Sequence, residues 1–304
     1  MKMPFNLGAR FVLRLVIPSI ILAMALWPLA KAVRKFADSN LSNELLLGAI
    51  AAAVGFAFLL LDMPIYMLLE GRRYWPPRLR GWGVAREAAR LAILVARSQA
   101  ATDRAIKIEF DLRTREFPIA AKTGVPYAAF PTRLGNLLAS FETYPTVKYG
   151  LDGVFFWARL WVAIDKDLRE ELDSAQALVD GAIYASASLA GAASVALVNA
   201  IVAPQENKWF WLAAVAGALP LSRLCYLAAL PRYVQYGELF AATFDQHRAK
   251  LDFSGLLTEL DRHIDPSVAR TRTPQEAARA VWRFLRWHRY RRIGATDNET
   301  VQDF

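Results

Sequence analysis

The sequence predicts a mainly α-helical membrane protein, with four transmembrane helices and a helical or α+β domain on the cytoplasmic side. Three observations predict it. Four apolar runs approach or exceed the roughly 20 residues that cross a hydrocarbon core of about 30 Å. The chain is 55% hydrophobic, and basic residues crowd the ends of the runs on one side. A soluble core helix seldom stays apolar on every face for such a length. Charged residues still make up 21% of the chain, more than lipid-embedded helices hold, so membrane and aqueous parts coexist.

The first run, 11–30, follows Lys2 and Arg10 and contains Arg14, and no small-residue cleavage site precedes Lys31. That favours a retained anchor over a removed signal peptide. The second, 45–69, is broken only by Asp62; the third and fourth are 178–203 and 209–230. Arg72, Arg73, Arg78 and Arg80 follow the second span and Arg232 the fourth, whereas 204–208 holds only Glu206 and Lys208. The positive-inside rule then puts both termini and residues 71–174 in the cytoplasm. Lys31, Arg34 and Lys35 disagree, being outvoted by the other segments. The lone cysteine, Cys225, rules out an intrachain disulfide and a cysteine-based metal site.

In an up-down-up-down bundle Arg14, Asp62, Asp180 and Arg223 share the cytoplasmic half of the membrane. Isolated charges there cost about 2.5 to 3.5 kcal/mol each, so pairing is expected. An ion or proton pathway and a structural salt bridge both fit. Gly48, Ala52 and Gly55 line one face of the second span, and Gly181, Ala185, Ser188, Ala192 and Asn199 one stripe of the third. Such small-residue stripes suit close helix packing, between subunits or beside a pore, and leave the bulkier first span facing lipid.

Residues 71–174 hold a segment from Val84 to Phe117 that reads as one long amphipathic helix, then a Pro- and Gly-rich loop. Thr132 can cap a helix starting near Leu134, and Gly153 to Ile164 is an apolar helix too short to span. Asp165 to Asp173 leads straight into the third span. Three of these cytoplasmic stretches, PTRLGN, YGLDGVFFWARL and YGELFAATFDQHRAKL, resemble segments of bacterial multi-span membrane proteins to which no activity is assigned. The resemblance implies a bacterial inner-membrane setting.

No catalytic constellation emerges. Asp261, His263 and Asp265 alternate but precede Pro266 without a second ligand set, and no glycine-rich phosphate loop is present. Arg133, Glu142 and Asp152 could form a polar site or separate local pairs. No metal and no cofactor is expected.

The C-terminal region, 231–304, contains a basic amphipathic helix over about 275–292 with Thr273 as its cap. Arg279, Arg283 and Arg286 lie opposite an apolar face bordered by Trp282 and Trp287. That composition suits anionic lipid at the cytoplasmic surface better than nucleic acid, and docking on the protein itself is the alternative. The net charge of +9 is mainly a topological signal. Two functions remain: a homo-oligomeric channel or pore-like assembly, and a membrane-anchored scaffold or sensor binding a cytoplasmic protein partner.

Overall fold

The computed structural model describes residues 12–36, 42–121, 123–202, 208–261 and 273–287. Most of them are helical. The one β feature among them is an antiparallel bridge between Ile119 and Pro126, so the α+β alternative does not hold for the described residues.

Helix α1, Ile17–Phe36, is entered through a π-helical turn, Val12–Val16. Pro18 explains the turn: it has no N–H, and its ring crowds the carbonyl four residues back, that of Arg14. Helix α2, Asn43–Leu60, starts on Ser42, whose hydroxyl accepts from the Leu45 N–H at 3.3 Å. It stops where Leu61 adopts φ −97°, ψ 10°, and α3, Asp62–Glu70, takes over until Gly71 caps it at φ 76°. Pro64 causes this break by leaving the Leu60 carbonyl without a helical donor. The expected single span over 45–69 is therefore two helices, with Asp62 at the joint.

Six residues separate α3 from α4, Pro77–Ala100, and α5 follows at Arg104–Thr114. The expected continuous helix is cut because the Asp103 carboxylate caps α5, accepting the Ala105 N–H at 2.7 Å. Next come α6, Arg133–Tyr149, and α7, Gly153–Ala163. Helix α8 runs from Lys166 to Val202 and α9 from Lys208 to His247, each continuing without interruption well beyond the apolar stretch read from the sequence. Helices α10, Ser254–Asp261, and α11, Pro274–Trp287, complete the described chain.

Three helices are long and apolar enough to cross a membrane: α2, α8 and α9 with its 3-10 extension. The apolar part of α1, Ile17–Pro28, is shorter, so the first expected span, 11–30, is not among these three. Leu15 packs with Val54, Phe58 and Tyr184, Leu22 lies against Gly191, and Trp27 lines a groove with Ala196. Helix α1 therefore runs alongside α8 in the same sense and opposite to α2. Ser222 meets Ser186, and Tyr226 and Leu230 meet Ile183 and Val179, so α9 is antiparallel to α8. Directions alternate in chain order. Helix α1 lies against both α2 and α8, with Ala23 fully buried, while Ile17, Ile20 and Met24 stay exposed on its other face.

Beneath the apolar bundle a helical layer closes around Phe156 and Leu160 of α7, Leu172 of α8, Phe240 and Phe244 of α9, and Val281 of α11. Gly153 to Ile164 is thus a core helix. The capping box on α11 forms as read, with the Thr273 N–H donating to Glu276 at 2.7 Å and the Glu276 N–H to Thr273 at 3.3 Å. Val281 is completely buried, and Trp282 and Leu285 pack on the same core. The apolar edge that a headgroup-bound helix needs is used inside the protein, a correction to the membrane-surface reading; Arg279 stays exposed. The side chains of Arg283, Arg286 and Trp287, and residues 288–292, lie outside the described residues.

Candidate functional site

Two helices carry the same short pattern, Asp-x-x-Ile-Tyr: Asp62 to Tyr66 in α3 and Asp180 to Tyr184 in α8. A spacing of four puts aspartate and tyrosine on one helical face. Because α3 and α8 are antiparallel, the two patterns meet crosswise. The Tyr66 hydroxyl donates to Asp180, and the Tyr184 hydroxyl donates to Asp62. The two phenol rings stand edge to face at 6.2 Å, and Phe58 packs on Tyr184 at 5.6 Å. Asp180 is 1% exposed, as is Tyr184. This reciprocal clasp satisfies two carboxylates that would otherwise be costly in an apolar bundle.

The sequence singled out both aspartates but assigned them arginine partners. Arg223, on α9, is exposed and stacks over Tyr226 at 5.1 Å, away from the clasp. The side chain of Arg14 lies outside the described residues. The tyrosines were missed, although the repeated Asp-x-x-Ile-Tyr spacing was a usable signal.

One turn beyond Tyr66, Glu70 is buried and lies 2.6 Å from Arg72, whose guanidinium also bonds Glu142 of α6 at 2.5 Å. Burial pushes the Glu70 carboxyl up to about 7; Arg72 opposes the rise and Glu142 adds to it.

PTRLGN builds the joint between α3 and α6. Pro131 abuts Gly71 and Gly83, where a Cβ would overlap it. The Thr132 hydroxyl donates to the Glu70 carbonyl at 2.8 Å and accepts the Gly135 N–H at 3.0 Å, as its capping role requires. A Cβ at Gly135 would strike that same Glu70 carbonyl. Asn136, 1% exposed, fills all four of its hydrogen-bonding positions with the backbone of Ala129, Phe130 and Thr132. The other two segments also meet, Tyr149 donating to Asp245 at 2.6 Å, and Phe141 of α6 lies on Gly237 of the third.

The small-residue stripes behave differently from one another. Gly48 has open space around it and Ala52 is exposed. Gly55 faces Ser19 of α1. On α8, Ser188 is fully buried, while Gly181, Ala185, Ala192 and Asn199 are half-buried. The hydroxyls of Ser19 and Ser188 and the amide nitrogen of Asn199 are buried with no hydrogen-bond partner among the described residues.

Arg133, Glu142 and Asp152 do not converge. Arg133 bonds Glu116 at 3.1 Å, Glu142 bonds Arg72, and Asp152 caps α7 through the Phe155 N–H at 2.8 Å. His263 and Asp265 lie outside the described residues, among which no cluster of metal ligands occurs. What the site can do chemically is hold titratable oxygens in close succession at the base of the bundle, locked to the layer below. The chain matches no protein-family model, no curated protein and no solved structure.

Proposed function

We propose that the protein is a four-span bacterial inner-membrane protein with both termini in the cytoplasm, acting as a membrane-anchored scaffold or sensor for a cytoplasmic protein. The observation that carries this reading is the continuity of α8 and α9. Ser188 and Tyr226 belong to the apolar bundle, whereas Leu172 and Phe244 of the same unbroken helices form the core of the layer below. A displacement of the spans is therefore passed to that layer rather than absorbed in a loop. The alternating directions of α1, α2, α8 and α9 and the arginines after α3 support the four-span topology, and the likeness of PTRLGN and its companion segments to bacterial membrane proteins supports the setting.

The test locks the bundle and reads the layer. Ser186 and Ser222 approach to 3.3 Å, so cysteines at both positions, with Cys225 replaced by serine, can be oxidised to a cross-link. Hydrogen exchange in α6 and α7 should slow on oxidation; unchanged exchange would separate the spans from the layer and defeat the sensor reading.

A channel in a homo-oligomer is the second reading, favoured by the unsatisfied Ser19, Ser188 and Asn199 groups, which call for water inside the bundle. Its weakness is that the α8 stripe is largely used within one chain. Steady ion flux through reconstituted vesicles, lost on Asp180→Asn, would decide for the channel; flux equal to that of empty vesicles decides against it.

A further inference from the structure

Between Gly71 and Arg86 the chain carries no acidic residue and five arginines. Arg72 is taken up by Glu70 and Glu142, and Arg86 lies 3.3 Å from Glu87 and stacks over Trp82 at 5.3 Å. Arg73, Arg78 and Arg80 are exposed and make no ion pair among the described residues. Interleaved with them are Tyr74, Leu79 and Trp82, exposed by 64, 54 and 63%. Apolar and aromatic groups showing that much surface beside unneutralised cations are uncommon on a face meant only for water.

The backbone fixes this patch where the bundle ends. The Trp75 indole donates to the Leu68 carbonyl at 2.7 Å, and the Arg72 and Arg73 N–H groups donate to Met67 at 3.0 and 3.2 Å. Tyr74 is held at φ 67°, a left-handed conformation that costs a non-glycine residue about 1 kcal/mol or more. Pro131 wedged against Gly71 and Gly83 holds the first turns of α4 to the same spot.

We propose that this segment is an anionic-lipid site, in which Arg73, Arg78 and Arg80 take phospholipid phosphates and Tyr74, Leu79 and Trp82 enter the headgroup boundary. Unpaired positive charge selects an anionic surface, and the aromatic and aliphatic side chains select its amphipathic edge. The bilayer is the occupant because α4 starts six residues after a helix that leaves the apolar bundle, within about 20 Å of it even if extended. The site rests on the membrane topology proposed above and places the lipid contact on α4 instead of α11.

The full-length protein with Cys225→Ser and Leu79→Cys, spin-labelled at that position, is placed in nanodiscs of phosphatidylcholine alone or mixed with phosphatidylglycerol. Phosphatidylglycerol should make the label more accessible to oxygen and less so to a water-soluble nickel chelate. Native mass spectrometry should show retained phosphatidylglycerol at least about tenfold over phosphatidylcholine, from roughly fivefold per arginine near the surface. Arg73→Gln, Arg78→Gln and Arg80→Gln together should abolish both effects. A label equally open to the chelate in both lipids overturns the proposal and leaves the patch to a protein or nucleic acid. A second label at Phe56→Cys separates the failures: if it lies in oxygen-rich lipid while position 79 stays in water, the spans stand and only this site falls; if it too is in water, both fall.

Discussion

Tyrosine hydroxyls grip aspartates in two places, and the two grips differ in surroundings rather than in chemistry. In the clasp, Tyr66 and Tyr184 serve Asp180 and Asp62 inside the apolar bundle. At the far end of α9, Tyr144 and Tyr149 serve Asp245 at 2.9 and 2.6 Å, with Lys148 at 3.3 Å, but the Asp245 side chain is 37% exposed. Water can replace any partner lost at Asp245 and none at Asp180. The same hydrogen bond is therefore a modest surface contribution in one region and a condition of folding in the other, because the penalty for an unmet buried group exceeds the net gain from making the bond.

The largest effect expected from breaking this contrast is at Asp180. Asp180→Ala leaves the buried Tyr66 hydroxyl without its acceptor and should lower stability in detergent by about 3 kcal/mol, read as a drop in Tm. Adding Tyr66→Phe should restore at least about 1 kcal/mol, since both halves of the pair are then apolar. A wild-type Tm for the single variant would contradict the clasp. Tyr184→Phe keeps the ring contacts with Phe58 and Tyr66 and removes one donor to Asp62, so about 1 to 2 kcal/mol should be lost.

Titration sharpens the comparison, because two carboxyls in the two regions respond to pH in opposite senses. Glu70 is raised to about 7 from 4.5 by burial, so its contribution is complete below pH 4.5 and is lost as pH rises through 7. Glu70→Gln should flatten that part of the stability profile, a change of up to about 3 kcal/mol. Burial also pushes Asp245 up, but the hydroxyls of Tyr149 and Tyr144 and the Lys148 ammonium outweigh it and hold the carboxyl below its usual 3.8. Its contribution is present above pH 3.8 and disappears as the medium becomes more acid. Asp245→Asn should cost less than about 1 kcal/mol at neutral pH and depend on salt, the smallest effect in the series. A cost at Asp245 as large as that at Asp180 would show that exposure does not separate the two grips.

Much of this architecture was legible in residue patterns, and the missing part has physical causes. The apolar runs marked α2, α8 and the first half of α9, and Thr132 and Thr273 announced their helices, because hydropathy and capping depend on neighbours along the chain. Pro64 and Pro18 carried the information for the break beside Asp62 and the π turn around Arg14, yet hydropathy passes over both. The clasp required knowing that α3 and α8 are antiparallel and in register, a relation between segments more than a hundred residues apart. Asn136 was invisible because its partners are backbone groups that any residue could supply. The stripe on α8 was correctly seen as smooth, but the sequence could not say that α1 of the same chain would lie against it.

Helices α8 and α9, at 37 and 40 residues, are about 55 and 60 Å long. A hydrocarbon core is about 30 Å thick, so in the topology proposed above nearly half of each projects from it. A tilt of about 5°, well within the range that mismatch with bilayer thickness imposes, swings a projecting arm of about 30 Å sideways by 2 to 3 Å at its tip. Phe244 and Asp245 ride on that tip. On the proposed topology, a thinner or thicker bilayer would work the protein as a hand works a pair of oars, with the aspartate-tyrosine clasp near the fulcrum and the helical layer at the blades.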